Sequence, residues 1–281
     1  MAKFCKFCGK ELEEGMVCSC VENTAQGENA GKNNDIKSQA KGFWSLFKAF
    51  VKNPVSVGAR FVNDCDFKYA LCIIGVQSIL VALLVMSLVG KYNSAIKDTI
   101  ALAGSYSGMI ESRVSGFLFS LPTVFVITAI TTFAMACILA LVLMLVVKMF
   151  KGNTTYKYML CVSAVNSMVL IPFILCGLIL SIIIPLDINV RSLNSLKSLI
   201  SAFVLPVGIS SVGIMLGNYI MLNIIYAGSK VNKEFLPYIM FLTSVIMAIV
   251  FVLIFKIVMP MCLPSSIKAT MDAASSAGNL F

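Results

Sequence analysis

The sequence predicts an all-α integral membrane protein: five transmembrane helices preceded by a small cysteine-clustered head and an amphipathic juxtamembrane helix. Three observations predict it. The 281 residues are 59% hydrophobic and only 12% charged, where a soluble globular protein carries about 25% charged residues. Five stretches lack any charged side chain over at least about 20 residues, the length that crosses a hydrocarbon core of roughly 30 Å. Charge is also partitioned along the chain. Residues 1–42 hold six basic and six acidic side chains, whereas the remaining 16 basic and 7 acidic residues flank the apolar runs. The net charge of +9 therefore reads as a membrane-surface charge, with the lipid bilayer as partner and no nucleic acid.

The head spans residues 1–20. Four of the ten cysteines cluster there as Cys5-x2-Cys8-x9-Cys18-x-Cys20. A segment of about 20 residues cannot bury a core, so such a cluster needs a metal or disulfides to hold a shape. Four thiolates suit tetrahedral zinc, and a closed four-cysteine site leaves no position open for water or substrate. Such a site is structural. Gly9 follows the first pair and allows the tight backbone that turns amide N–H groups toward thiolates. Lys6 and Lys10 offset the formal double negative charge of the cluster. A redox pair or disulfides are the alternatives, disfavoured in a reducing cytosol.

The run FCKFCGKELEEGMVCSC resembles the minimal zinc ribbon found at the N-terminus of many bacterial membrane proteins. The resemblance rests on the Cys-x-x-Cys-Gly knuckle, on Leu12 and on the Glu14-Gly15 turn. The second knuckle, Cys18-Ser19-Cys20, has one spacer residue where that family usually has two. The resemblance implies one structural Zn2+ held by Cys5, Cys8, Cys18 and Cys20.

Residues 21–42 are polar, rich in glycine and asparagine and without periodicity, which predicts a flexible tether. Phe43, Leu46, Phe47 and Phe50 then recur at helical spacing, with Lys41, Lys48 and Lys52 opposite. That pattern predicts an amphipathic helix over 43–53 with Trp44 at its edge, suited to lipid headgroups or to the bundle surface. It is expected to end at Asn53-Pro54, because the residue before a proline avoids helical backbone.

Residues 54–281 form the membrane domain, with spans predicted at about 69–90, 121–147, 158–184, 202–228 and 235–255. The second run begins at Val114 and is too long for one span and too short for two. Its helix is placed from Leu121, with Pro122 in the first turn, where a missing N–H costs nothing. Pro172 is expected to kink the third span, which neighbouring helices tolerate in a membrane. Lys256, after the last run, can snorkel to the interface. The six remaining cysteines, Cys65, Cys72, Cys137, Cys161, Cys176 and Cys262, read as small apolar fillers.

Orientation follows lysine and arginine in the short loops. With the N-terminus cytoplasmic, the inner flanks hold Lys48, Lys52, Arg60, Lys68, Lys148, Lys151, Lys157, Lys230 and Lys233. The outer flanks hold Lys91, Lys97, Arg113, Arg191, Lys197, Lys256 and Lys268. The segment Lys148–Lys157 carries three lysines and no acid, while 91–113 dilutes its basic residues with Asp98 and Glu111. The first 40 residues have no apolar core of a cleavable signal. The expectation is a multi-pass cell-membrane protein with its N-terminus inside and its C-terminus outside.

The juxtamembrane helix ending in Asn-Pro, the five spans and the loop-plus-span KMFKGNTTYKYMLCVSAVNSMVLIP together resemble the Yip1 family. There the second loop commonly carries a basic, glycine- and threonine-bearing stretch, and the following span has a proline near its middle, which Pro172 matches. The eukaryotic members are membrane scaffolds in vesicle traffic. The resemblance implies a membrane domain over roughly 45–262.

Composition excludes several activities. There is no histidine, so Ser-His-Asp and Cys-His catalysis and HExxH zinc chemistry are ruled out. The spans hold no paired aspartates for an intramembrane protease, and no enzyme activity is expected. An ion-coupled transporter normally places an ionisable group at mid-membrane, but these spans offer only Gln77, Asn166, Asn218 and Asn223. Small residues form stripes at Ala129, Thr132, Ala136 and Ala140 and at Pro206, Ser210, Gly213 and Gly217. They permit close helix approach, either within one chain or in a homo-oligomer through Gly213 and Gly217. The leading expectation is a membrane scaffold or adaptor whose zinc ribbon docks a protein on the cytosolic side. The alternatives are a permease-like component for a neutral or lipid substrate, and a zinc- or thiol-responsive sensor.

Overall fold

The computed structural model describes residues 3–4, 11–12, 48–50, 52–101, 115–184, 193–229, 231–264 and 266–269. The chain divides into two compact units, Met1–Lys52 and Asn53–Phe281. In the first, β1 (Lys3–Phe4) and β2 (Glu11–Leu12) pair antiparallel, with Lys3 opposite Leu12 and Phe4 opposite Glu11. Residues 48–50 and 52 are helical; the rest of the helix expected over 43–53 lies outside the described residues, as does the tether.

The second unit is helical throughout its described elements. They are α1 (Pro54–Asp64), α2 (Phe67–Ala101), α3 (Leu121–Met149), α4 (Tyr156–Ile183), α5 (Leu193–Ser229) and α6 (Leu236–Cys262). Single 3-10 turns lie at Ser115–Phe117 and Lys233–Phe235. Helices α2 to α6 are each long and apolar enough to cross a membrane. The five long apolar helices predicted from the runs are the ones observed.

Helix α1 is an addition to the sequence reading, because Pro54 also opens an element of its own. Proline also suits the first turn of a helix, and here it opens α1, with Val57 N–H donating to the Asn53 carbonyl at 3.0 Å. Gly58 and Val62, one turn apart, are buried on the side packed against α4 and α5, while Ser56, Arg60 and Asn63 are exposed.

Three helices outrun their predicted spans. Helix α2 continues to Ala101 and, at 1.5 Å per residue, is about 52 Å long. Its extension is held by Asn93, whose Nδ2 donates to the Phe119 carbonyl at 2.9 Å while its Oδ1 accepts from Phe119 N–H at 3.0 Å. The Tyr92 and Phe119 rings meet edge-on at 5.5 Å. Helix α5 starts at Leu193 instead of near Ala202, and α6 passes Lys256 and Pro260 before stopping at Cys262. Charge ends an apolar run but not a helix. Helix α3 begins at Leu121 with Pro122 in its first turn, as expected, and α4 runs on through Pro172.

The α3 C-terminus closes in a six-residue cap. Gly152 N–H donates to the Val147 carbonyl at 2.9 Å and Lys151 N–H to the Lys148 carbonyl at 3.0 Å, the paired bonds of a Schellman motif. The left-handed position of that motif is normally glycine, but here it is Lys151, with φ 59°. Gly152 serves a different need. A Cβ there would lie 2.5 Å from Val147 Cγ1 and 2.6 Å from Val231 Cγ2.

Helix α4 is the hub. It packs against α1, α2, α3 and α5, whereas α6 leans on α3 and barely meets α5. All twelve residues from Met159 to Leu170 are buried, so this part of α4 is enclosed on every side. Further along, Ile174 joins Leu170 and Leu84 in an apolar cluster shared with α2.

Candidate functional site

The predicted metal centre lies outside the described residues. Cys5 and Cys8 fall between β1 and β2, and Cys18 and Cys20 follow β2. The antiparallel ladder is described for the backbone on either side of the first knuckle. Among the described residues no group of three or more metal-ligating side chains occurs.

The chemistry that can be placed is a polar seam running the length of α4. Near the end where α2 and α4 begin, Cys161 Sγ reaches the Cys65 carbonyl at 3.8 Å, and Cys65 Sγ reaches the Asp66 carbonyl at 3.2 Å. Both thiols are free and buried. Tyr156 OH lies 3.5 Å from the Cys137 carbonyl, and Ser163 Oγ donates to the Ala136 carbonyl at 3.1 Å, tying α4 to α3. Tyr158 OH donates to the Ile224 carbonyl of α5 at 3.2 Å. Toward the other end Ser87 and Ser181 share a hydrogen bond of 2.7 Å, and Lys91 Nζ donates to the Ile184 carbonyl beyond the end of α4. A cation at a helix C-terminus complements the partial negative charge there. Because partners near the start of α2 meet the start of α4, and later ones meet its end, the two helices run parallel.

Helices α4 and α5 approach closely through missing side chains. A Cβ at Gly177 would lie 2.9 Å from the Pro206 carbonyl oxygen and 3.0 Å from Ser210 Oγ; one at Gly213 would lie 2.8 Å from Phe173 Cβ. At Gly217 it would occupy the place of Asn166 Oδ1, and at Gly228 that of the Tyr158 hydroxyl. The stripe of Pro206, Ser210, Gly213 and Gly217 therefore faces α4 of its own chain. Gly213 and Gly217 are both buried there.

The four amides singled out in the sequence have different fates. Gln77 and Asn166 are buried, at 9% and 8% exposure. Asn223 folds back onto its own helix, Nδ2 donating to the Tyr219 carbonyl at 2.8 Å, and Asn218 is half-buried. Among the described residues Asn166 Oδ1 has no hydrogen-bond partner, and neither does Thr243 Oγ1 on α6. An unpartnered buried acceptor costs about 1–3 kcal/mol. For Asn166, Oδ1 sits in the notch left by Gly217, where backbone C–H groups are the available weak donors.

Sequence reading missed the pairing of Cys65 with Cys161, since thiols 96 residues apart carry no shared local signal. Burial first, and then the neighbouring Cys161 thiol, push Cys65 up from its ordinary 9.0 to about 12. Only the thiolate is nucleophilic. At pH 8, Cys65 should therefore react with N-ethylmaleimide on the order of a thousandfold more slowly than a free thiol of ordinary acidity. Single-cysteine variants followed by mass spectrometry check this, and labelling at the rate of a small free thiol contradicts it.

The seam is a set of helix-to-helix ties. Compared with protein-family models, with curated proteins and with solved structures, the chain finds no significant match.

Proposed function

We propose that this chain is a multi-pass membrane scaffold, Yip1-like in organisation, whose N-terminal zinc ribbon docks a protein partner on the cytosolic side. One observation carries the reading. Tyr156, Tyr158, Ser163 and Ser181, spaced along α4, are engaged with carbonyls and a hydroxyl of α2, α3 and α5, which suits a static platform better than a passage for substrate. Interhelical hydrogen bonds in membranes average about 0.6 kcal/mol, so these ties together add a few kcal/mol to the bundle.

The head belongs to the unit Met1–Lys52, distinct from the unit that holds the bundle, which supports its reading as a docking module on a tether. The β1–β2 ladder supports the ribbon reading, since a short hairpin is the frame on which a Cys-x-x-Cys-Gly knuckle holds its first two thiolates. Zn2+ on Cys5, Cys8, Cys18 and Cys20 is structural in this reading, and the N-terminus is cytoplasmic with the C-terminus outside.

The test is crosslinking and co-isolation from the native membrane, with the intact chain and with residues 1–20 deleted. Proteins recovered with the intact chain should be lost from the truncated one, which should still insert. Recovery of the same proteins by both forms rejects the docking role. Solute or lipid flux in proteoliposomes that survives the deletion assigns the chain to a permease instead, and partners that change with zinc or oxidant assign it to a sensor.

A further inference from the structure

At the end of the bundle where α2, α4 and α6 begin, the α3–α4 link and the α5–α6 link are joined to one another. Asn153 N–H donates to the Ser229 carbonyl at 3.0 Å. The Phe150 and Phe235 rings lie 5.4 Å apart. Gly152 is close enough to Val231 that no Cβ fits between them. These contacts turn two separate loops into one surface. Lys148 in the last turn of α3, Lys151 in the cap, Lys157 in the first turn of α4 and Lys233 in the 3-10 turn all stand exposed around it. The only acid in either link is Glu234, and no ion pair to any of the four lysines occurs among the described residues.

We infer that this joined-loop surface is a docking site for anionic phospholipid headgroups, with Lys148, Lys151, Lys157 and Lys233 holding the phosphates. Position selects lipid over an acidic protein. The lysines sit at the ends of four apolar helices, the level of the headgroups. Beside them Met149, Phe235 and Tyr238 are exposed, at 70%, 41% and 63%. Apolar and aromatic groups of this kind belong in the interfacial layer, where lysine stems lie along apolar surface while the ammonium reaches outward. A soluble acidic partner would meet those apolar groups without a place for them. The inference is independent of the docking role of the head, since it concerns residues 148–235 alone.

Each lysine near an anionic surface is worth about 1 kcal/mol, roughly a fivefold change in affinity. Three removed together should therefore weaken lipid binding about a hundredfold. The test uses the full chain in detergent micelles, titrated with dioleoyl phosphatidylglycerol or dioleoyl phosphatidylcholine and read by native mass spectrometry and thermal unfolding. The wild type should prefer phosphatidylglycerol by at least about tenfold, the preference falling as salt is raised. The triple variant Lys151→Gly, Lys157→Gln and Lys233→Gln should lose it. Lys151→Gly removes the charge while easing a left-handed backbone, so folding is preserved at that position. An unfolding midpoint in phosphatidylcholine equal to wild type confirms that the triple variant is folded. If the triple variant does not fold, the single Lys151→Gly should still lose about fivefold. Equal affinity for the two lipids, or a preference intact in the folded variants, overturns the inference. Displacement of the lipid by millimolar glycerol phosphate would assign a free-phosphate site instead. Retention of a polyglutamate peptide by the same lysines, with no discrimination between lipids, would assign the surface to protein.

Discussion

Gly213→Ala should be among the most damaging single-methyl additions to the bundle, and removing its neighbour's ring should not fully rescue it. The new Cβ would lie 2.8 Å from Phe173 Cβ, an atom fixed to the α4 backbone that no rotamer change can move. Helices α4 and α5 must part, at a cost of about 1–3 kcal/mol or more for overpacking. Phe173→Ala removes the ring atoms Cγ and Cδ2, at 2.8 and 2.9 Å, but keeps Cβ, so the double variant regains only part of the loss. Gly217→Ala is the informative contrast. Its added methyl meets Asn166 Oδ1, the far end of a side chain, and Asn166→Ala removes that group together with an unpartnered acceptor. The pair should show a favourable coupling of at least about 1 kcal/mol, within the usual range for residues in contact. Reversible unfolding in mixed micelles measures all six variants, the four single and the two double. Additive costs at 217 and 166, or full rescue at 213 by Phe173→Ala, would show that α4 and α5 do not meet through these atoms.

That seam marks where the sequence stopped being legible. The five helices could be placed to within a few residues at their charged or proline-marked ends, as at Leu121 and Tyr156, because lipid demands long uncharged runs. Their continuation past Gly90 toward Ala101 could not, since it depends on Asn93 meeting Phe119, a contact between segments far apart in the chain. Helix α1 was hidden for a different reason. Pro54 signals either the end of one helix or the start of the next, and only the packing of Gly58 and Val62 decides. The small-residue stripe on α5 was visible, but a stripe does not name its partner. The partner is the row formed by Asn166, Phe173 and Gly177 on α4. The signal available for it was the run of Cys161, Ser163, Asn166 and Ser167, a density of small and polar groups that would be poorly placed against lipid. The four head cysteines were read from their spacing and from the zinc-ribbon resemblance, both local to residues 4–20.

For the head, the full chain should bind one zinc ion, and Cys5→Ser with Cys8→Ser should abolish it. The expected effect is large because the peptide has little else to fold around: binding free energies of roughly 10–16 kcal/mol in such peptides are also their folding energies. Loss of metal should therefore expose residues 1–20 to protease while leaving unfolding of the helical bundle unchanged, since the head belongs to the unit Met1–Lys52 and the bundle to Asn53–Phe281. The pH dependence has a definite sign. Zinc binds thiolates and must displace protons from them, so affinity is highest at neutral pH and above and falls as acid returns the protons. The single-spacer second knuckle sharpens the test. If Cys18 and Cys20 both ligate the same ion, Cys18→Ser and Cys20→Ser should each weaken zinc to a similar degree, leaving a three-thiolate site with an open position. If only one weakens it, the fourth ligand comes from elsewhere, and the site is no longer the closed structural centre on which the docking role rests. Metal analysis of the purified chain, with a chromogenic chelator to rank the variants, reads each case. Zinc content unchanged by the Cys5 and Cys8 substitutions removes the ribbon altogether. The membrane bundle would then have to find its partners through its own surface.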